Sequence, residues 1–588
     1  MNPQSPQSPI FNKSAIRNPQ SAILDIVLFT ALTVVMTYPQ AFHLHDRVHD
    51  DGDPLLNTWA LTWVAHQLPR APAHLFDANI FYPERRTLAY SETLLVPAAV
   101  AAPLYWVGVS QLLIYNIVFL SGFIVSGVGT SLLVRTLTGS AAAGRVAGLV
   151  FAFLPYRIDH FPHLQLQQTQ CLPLAMWAFH RLLRTGRLRD GVLFGGFSAG
   201  QVLSCMYYGL FLLPYMAVVC GAVLIMERRL PKDRIVALAV AAVIALAAVV
   251  PVGMAYLGAR RVVGERGRQE VLDGSATWRN YLAPAEANLL YGRALSGFMQ
   301  SERRLFPGFV AIALAMAALI PAVASRHDTT KTRNREKRFL GFRGFEVSWF
   351  RDHTTEFAYA LGLLLAFDVS LGFNGLTYSA LYDHFLPFRA LRIPARMGLF
   401  VGFSLAVLAG YGIARIARLV RSRQLECAVF VTAGALMLVE YASRPIELAT
   451  IRTSAPEVYA DIIRDRGDSP IAALFEFPAS SLDDPTYLYY STFHWQSLVN
   501  GYSGFFPPSY VRLMDAMRTF PDDSSIGALR ARGTRYLVVH GERLYGDRYE
   551  TLIPELDRRR DLVLVSRRPW FDRDKHSEIT AYRLLYPR

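Results

Sequence analysis

Hydrophobic residues in this chain form long runs that are separated by short polar, mostly basic segments. Eleven such runs occupy residues 23–42, 112–134, 141–156, 166–179, 191–226 (two runs), 235–256, 309–324, 357–371, 397–416 and 427–441. A helix of about 20 apolar residues crosses a bilayer. The pattern therefore predicts a polytopic α-helical membrane protein with about eleven transmembrane helices.

Composition agrees with a membrane protein. Of the 588 residues, 52% are hydrophobic and only 18% are charged, where soluble domains carry about 25% charged residues. The net charge of +14 comes from Lys and Arg at the ends of the apolar runs, as the positive-inside rule predicts, so we expect no nucleic-acid partner. The four cysteines lie in apolar runs and lack the spacing of a metal site.

The basic segments orient the chain, because cytoplasmic loops are rich in Lys and Arg. They occupy residues 135–145, 180–190, 227–234, 325–343 and 415–423. Residues 1–22 form a polar, proline-bearing segment that we predict to be a disordered cytoplasmic tail. No small-residue cleavage site follows the first run, which we interpret as a retained helix. An odd number of spans then places the C-terminus outside.

Two segments do not fit this scheme directly. The apolar segment 94–110 would reverse the orientation if it crossed the membrane, so we interpret it as an interfacial or re-entrant helix pair broken at Pro97 and Pro103. The outer loop 258–306 carries the basic sequence "ARRVVGERGR". That sequence is either scatter in the charge rule or a surface that binds an anionic group.

The composition changes after residue 443. We divide the chain into a transmembrane domain, 23–443, with a long outer loop at 43–110, and a C-terminal domain, 444–588. Short strand-like runs alternate there with amphipathic segments, which predicts an extracytoplasmic α/β domain at 472–477, 536–540, 561–565 and 579–586. The whole chain lacks a Gly-rich phosphate loop, so energy or activated groups do not come from cytosolic ATP.

Three predicted outer loops carry polar residues suited to chemistry. The first has Asp51 and Asp53 in "HDDGDPLL". The second, "LPYRIDHFPHLQLQQ", has Asp159, His160, His163 and Gln167, and the third, "FLPFRALRIPARMG", has Arg392 and Arg396. Arg binds phosphate oxygens through its planar fork, and a carboxylate can deprotonate a hydroxyl or hold a divalent cation. This combination is typical of an enzyme acting on a phosphate-bearing lipid.

Each of these groups also has a simpler interpretation. Asp53 precedes a proline and a helical pattern, as a helix N-cap does when proline takes the first helical position. His160 and His163 have weak metal-pair spacing and fit ordinary loop histidines. The arginines of the third loop could extend toward lipid headgroups. Asp25, Asp368 and Glu440 lie near span ends and would be transport-pathway residues in a transporter.

The layout resembles a known superfamily. A first helix, an outer loop with acids near its start, interfacial helices, a second acid after "FAFLPY" and a C-terminal outer domain resemble the GT-C glycosyltransferases. The stretch "FEFPASSLDDPTYLYYSTFHWQSLVNGYSGFFPPSY", together with "LRIPARMG", resembles uncharacterised bacterial members of the YfhO-like branch. Many members have adjacent acids in the first loop, whereas this chain has Asp51, Gly52 and Asp53.

The resemblance implies an inverting glycosyltransferase of the bacterial inner membrane. It would transfer a hexosyl or pentosyl group from a polyprenyl-phosphate donor to an extracytoplasmic glycan, lipid or protein. Catalytic positions would be Asp51, Asp53 and Asp159, which would also be the ligands of any divalent cation. Substrate would be bound by Arg392, Arg396, His160, His163 and Gln167. The alternatives are a transporter or lipid flippase, or a noncatalytic envelope-polysaccharide protein.

Overall fold

The computed structural model describes residues 19–227, 230–320, 353–420, 422–468, 473–545, 547–572 and 575–587. Most of the predicted cytoplasmic tail and the whole basic segment 325–343 lie outside the described residues. The end of the apolar run 309–324 lies outside them as well.

An α-helix lies at each of the eleven apolar runs. These helices are Pro19–Met36, Gln111–Thr138, Ala141–Ala152, Cys171–Thr185, Leu188–Ser204, Met206–Met226, Lys232–Val263, Phe309–Leu319, Thr354–Ser370, Gly398–Leu419 and Arg423–Tyr441. Within the described part of the chain, six helical segments have the length and apolar composition of a span. They are Gln111–Thr138, Ala141–Asp159, Met206–Met226, Lys232–Val263, Pro394–Leu419 and Arg423–Tyr441. The helical membrane architecture is confirmed, and the count of eleven spans stays a prediction.

The apolar segment 94–110 forms one helix, Leu95–Trp106, so the predicted break at Pro97 and Pro103 is wrong. Pro97 lies in the first turn, where backbone N–H groups have no intrahelical acceptor, and its missing N–H costs no hydrogen bond. The helix continues past Pro103 for three residues. Its exposed residues are apolar, with Val100 75% and Trp106 52% exposed, as a helix at a membrane surface would require.

Small residues let the first helix pack closely. Phe29 is fully buried, and a Cβ atom added at Gly127 or Gly148 would lie 2.4 Å from its ring. Glycine is therefore needed at both positions for this approach, as in other closely packed membrane helices. The Phe29 contact joins the first helix to two neighbours at once.

Polar contacts define the two ends of the helical bundle. Near the start of the first helix, Arg145 Nε donates to Asp25 Oδ1 over 2.7 Å. Beyond its other end, Asn116 Nδ2 donates to the carbonyl of Leu44 over 2.8 Å. The basic residue thus lies at one end, and the first outer loop lies at the other.

The other two acids near span ends bind backbone groups. Asp368 accepts the N–H groups of Leu376 and Thr377, both over 2.8 Å. Glu440 accepts the first two N–H groups of the helix Phe309–Leu319, which have no acceptor within their own helix. Asp25, Asp368 and Glu440 therefore have structural partners, and they no longer support a transport pathway.

In the described parts of the predicted outer loops, five further α-helices accompany Leu95–Trp106. They are Asp53–Gln67, Pro155–Asp159, Leu164–Gln167, Arg268–Asp273 and Tyr378–His384.

The first outer loop is hydrogen-bonded to the C-terminal domain. Strand β1, Arg47–Val48, pairs antiparallel with β2, Ala449–Thr450. Further along the loop, the N–H of Phe81 donates to the carbonyl of Asn500 over 2.9 Å. The loop and the domain therefore share one hydrogen-bonded interface.

The C-terminal domain contains the predicted sheet. Its strands are β3 (Ala473–Phe477), β4 (Thr534–His540), β5 (Leu562–Asp572) and β6 (Lys575–Leu584), in the order β3-β4-β6-β5. Strands β3 and β4 are parallel, and the other neighbours are antiparallel. The helices are Val458–Arg466, Asp484–Ser491, Pro508–Ala516, Asp523–Ala531 and Arg548–Asp557. The predicted α/β class is confirmed.

Cysteine labelling would test the orientation. Cys427 is the exposed native cysteine among four and is replaced by Ser to remove background. Leu376→Cys, at a position 90% exposed beside the first-loop end of the bundle, should react with a membrane-impermeant maleimide in intact cells. Arg187→Cys, which is exposed near the opposite end, should react only after permeabilisation. The reverse labelling pattern would invert the predicted topology.

Candidate active site

Asp53 begins the helix that follows the first outer loop. The N-cap of helix Asp53–Gln67 is Gly52, and Pro54 is the second helical residue, so the interpretation of Asp53 as the cap is wrong. Asp50 stabilises the preceding turn, because its Oδ1 accepts the N–H of Gly52 over 2.8 Å. Asp51 is half-buried in the same turn. The Asp53 side chain is therefore available for contacts with other segments.

Two uncharged groups contact the Asp53 carboxylate. Tyr502 Oη donates to Oδ1 over 2.9 Å, and His163 Nε2 lies 3.2 Å from Oδ2. Burial raises the pKa of Asp53, and the hydrogen bond from Tyr502 opposes part of that rise. Burial and then the charge of Arg396 lower the pKa of His163 to about 3, so the imidazole is neutral at pH 7. Within the described segments, Asp53 is thus a carboxylate with a raised pKa and no Lys or Arg side chain in hydrogen-bonding contact.

Hydrogen bonds from two buried side chains to the backbone shape the loop that carries the histidines. Arg157 and Gln167 are both fully buried. Arg157 Nη2 donates to the carbonyl of Gln167 over 2.9 Å, and Gln167 Nε2 donates to the carbonyl of His160 over 2.7 Å. Because the chain itself occupies the Gln167 amide, this residue positions the loop.

Asp53, His160, His163, Glu302 and Arg396 form one cluster of contacting side chains, and Glu302 is its centre. Its Oε1 and Oε2 each lie 3.1 Å from Arg396 Nη2, and its Oε2 lies 3.2 Å from His160 Nε2. The other His160 nitrogen lies 2.9 Å from the carbonyl of Tyr156, so both ring nitrogens have an oxygen neighbour. Burial opposes ionisation of Glu302, but Arg396, His160 and His163 outweigh it and lower its pKa.

Asp159 belongs to the same cluster, but its carboxylate is paired with an arginine. Arg304 Nη1 donates to its Oδ1 over 2.6 Å, and the Asp159 side chain is 8% exposed. His160 Nδ1 lies 4.0 Å from its Oδ2. Asp159 is therefore held by an arginine, whereas Asp53 is contacted by Tyr502 and His163.

The two predicted arginines differ in their surroundings. Arg396 is 4% exposed, is paired with Glu302, and its guanidinium lies 4.7 Å above the Tyr207 ring. The backbone N–H of Arg392 donates to Tyr207 Oη over 3.0 Å, while its side chain is exposed. Among the described residues, no side chain pairs with the Arg392 guanidinium. Arg392 is thus the cation available to an external anion.

Most arginines in the basic sequence of the loop 258–306 form ion pairs with acidic residues of this chain. Arg260 pairs with Glu265, and Arg266 pairs with Glu270. Arg268 pairs with Asp383. These contacts favour a structural explanation for most of the loop's positive charge, and they leave Arg392 as the better anion-binding candidate.

No family model matches this chain, and no curated protein matches it. Among solved structures, the arabinofuranosyltransferase AftD from mycobacteria has a TM-score of 0.60 over 97% of this chain, at 13% identity. This likeness shows that the chain has the GT-C fold. It covers only 40% of AftD.

Two other solved structures overlap this chain less closely. The oligosaccharyltransferase AglB from Archaeoglobus fulgidus has a TM-score of 0.43 at 11% identity, over 90% of this chain and 70% of that chain. ArnT from Cupriavidus metallidurans has a TM-score of 0.39 at 14% identity, over 97% of this chain and all of that chain. Membership of the YfhO-like branch stays a prediction.

Sequence reasoning missed two residues of the cluster around Asp53. Glu302 lies in a long irregular loop among arginines, where it looks like an ordinary ion-pair partner. Tyr502 lies in the C-terminal domain, 449 positions from Asp53. The aromatic stretch "NGYSGFF" was its only sequence signal.

The predicted carboxylates do not fit a divalent cation. Asp53 contacts Tyr502 and His163, whereas Asp159 contacts Arg304. Across the described residues, no group of three or more His, Cys, Asp or Glu side chains is placed to hold a metal. We therefore derive no step through a metal.

Replacing Glu302 would test its role as the centre of the cluster. Glu302→Gln leaves Arg396 buried without its counter-charge, which costs about 3 kcal/mol of folding free energy in comparable pairs. Because the folded-state pKa of Glu302 is lowered, its contribution is present at neutral pH and is lost as pH falls below the usual value of 4.5. Thermal unfolding of the purified protein at pH 7 and at acidic pH measures both effects.

Glu286→Gln is the matched control for this variant. The Glu286 side chain is 72% exposed and lies 3.5 Å from Arg304. Its loss should change stability by less than about 0.5 kcal/mol. Equal melting temperatures for Glu302→Gln and the wild type at pH 7 would contradict the proposed stabilising role of Glu302.

Proposed function

We propose that the chain is an inverting membrane glycosyltransferase that uses a polyprenyl-phosphate sugar at the outer face of a bacterial cytoplasmic membrane. The observation that carries this proposal is the Asp53 carboxylate, largely buried and contacted by neutral groups, in the same cluster as the exposed Arg392. The GT-C fold supports glycosyl transfer as the reaction class. The sugar and the acceptor are a hexosyl or pentosyl group and an extracytoplasmic hydroxyl.

Asp53 is the best candidate for the general base. Burial raises its pKa toward neutrality, which strengthens the carboxylate as a proton acceptor. Asp159 is a weaker candidate, because its carboxylate is paired with the Arg304 guanidinium. Asp51 lies in the turn before the helix and stays a second candidate.

Arg392 is the best candidate for binding the donor phosphate. Its guanidinium is exposed, and its positive charge acts on the pKa of both His163 and Tyr502, which flank Asp53. Arg396 is buried against Glu302, so we assign it a positioning role. His160 and Gln167 position the same loop, and His163 orients Asp53.

The reaction is a single displacement. The acceptor oxygen attacks the anomeric carbon while its proton passes to Asp53. The bond between the anomeric carbon and the phosphate oxygen breaks, and its electron pair leaves with the polyprenyl phosphate. Arg392 stabilises the negative charge of that leaving group. Attack opposite to the leaving group inverts the anomeric configuration.

Asp53→Asn tests the base. The amide cannot accept the proton, so transfer should fall by about 10²- to 10⁴-fold, while membrane insertion and the melting temperature stay close to wild type. The measurement is mass analysis of products from labelled polyprenyl-phosphate sugars and a membrane-glycan extract. Asp46→Asn, a half-buried aspartate of the same loop, is the control. Full activity in Asp53→Asn with loss in Asp51→Asn would move the role to Asp51.

Arg392→Ala tests the donor site. Losing a charge-assisted contact to phosphate should raise the KM for the donor by about tenfold or more, with a smaller change in kcat. Arg392→Lys should recover part of the loss because it keeps the charge. Arg261→Ala, an exposed arginine of the basic loop, should leave the KM unchanged. A larger KM effect for Arg261→Ala would place the phosphate at that loop instead.

A further inference from the structure

A cavity lies in the C-terminal domain, on the segment that also supplies Tyr502. It measures about 550 Å³ and is lined by apolar, hydroxyl and charged side chains. Phe477, Phe506 and Tyr510 form its aromatic part, and Ser480, Asp515 and Arg518 are among its polar residues. Small-molecule sites have this combination of apolar surface and a few polar groups.

The aromatic wall is held in place by its neighbours. The rings of Phe506 and Tyr510 are 6.2 Å apart and inclined by 15°, and the Phe81 ring meets Phe506 edge-on at 5.9 Å. Phe506 nevertheless leaves 38% of its surface exposed. A fixed, exposed ring presents a flat apolar surface, which the C–H face of a sugar ring can cover.

The polar groups of the cavity balance in charge. Arg518 Nη2 lies 3.0 Å from Asp515 Oδ1, and both side chains are largely exposed. Asp484, fully buried in the wall, accepts hydrogen bonds from Tyr510 and Asn500. Burial raises the pKa of Asp484 to about 7, so much of it is uncharged near neutral pH. Sugar hydroxyls can donate to and accept from such groups without adding charge.

The cavity is lined by Phe506, which lies on the same segment as Tyr502, the residue that contacts Asp53. The Phe506 ring lies 6.5 Å from the Tyr502 ring, and the Tyr502 hydroxyl donates to Asp53. One short segment therefore lines the cavity and contacts the proposed base. A ligand several sugars long could occupy the cavity and still present an end to Asp53.

We propose that this cavity is an acceptor subsite that binds a neutral saccharide unit, with Phe506 as the ring on which the sugar stacks. The proposal rests on the proposed function, because it takes the glycan to be the acceptor of the transfer at Asp53. It assigns the C-terminal domain a direct part in selecting that acceptor.

Saccharide binding to the full chain in detergent tests the subsite without relying on catalysis. The probes are neutral tetrasaccharides of mannopyranose, arabinofuranose and N-acetylglucosamine, and an anionic oligogalacturonate, with saturation-transfer NMR and calorimetry as readouts. At least one neutral probe should bind. Phe506→Ala should raise its Kd by about tenfold, the loss expected when one aromatic contact is removed.

Matched variants separate binding from folding. Phe506→Tyr keeps the ring and should bind like the wild type. Tyr545→Ala, at an aromatic residue 83% exposed outside the cavity, should also bind normally. Unchanged binding in Phe506→Ala, no binding of any neutral probe, or tighter binding of the anionic probe would each overturn the proposal.

Asp53→Asn separates this proposal from the proposed function. Saccharide binding should persist in that variant, because Asp53 does not line the cavity. Retained transfer in Asp53→Asn with normal saccharide binding would contradict the assigned base and leave the subsite in place. Loss of binding in Phe506→Ala with unchanged transfer to the same glycan would show that the cavity does not serve the acceptor, and would overturn its assigned role.

Discussion

The ion pair between Glu302 and Arg396 joins an irregular outer loop to the segment that precedes the helix Gly398–Leu419. Arg396 is almost fully buried, so its charge needs Glu302 in place. Glu302 also contacts His160 and lies 3.7 Å from His163. Through these contacts, one carboxylate joins three of the predicted outer loops, and the surroundings of Asp53 depend on them.

The C-terminal domain completes this arrangement. Tyr502 hydrogen-bonds to Asp53, and the backbone near residue 500 pairs with the first outer loop. The domain therefore forms part of the site's wall. This contact brings Phe506, whose ring lies 6.5 Å from the Tyr502 ring, close to the carboxylate on which the proposed function rests.

Sequence reasoning succeeded where the physics is local. Apolar runs predict helices because a spanning segment must satisfy its own backbone hydrogen bonds, and a helix lies at every predicted run. It failed at segment 94–110, where a proline in the first turn was mistaken for a break. The alternative interpretation of Asp53 as a helix cap is also wrong, because a proline after an acid is compatible with two registers and the cap is Gly52.

The sequence by itself determined the apolar pattern, the helices, the small sheet and the outer loops that carry Asp53, His163 and Arg392. The tertiary structure decided the partners of the acids, since Arg304 pairs with Asp159 while Tyr502 and His163 contact Asp53. It also brought in Glu302 and Tyr502 from distant segments. Burial and the charge of neighbouring groups set how readily a carboxylate accepts a proton, and both arise only when distant parts of the chain meet.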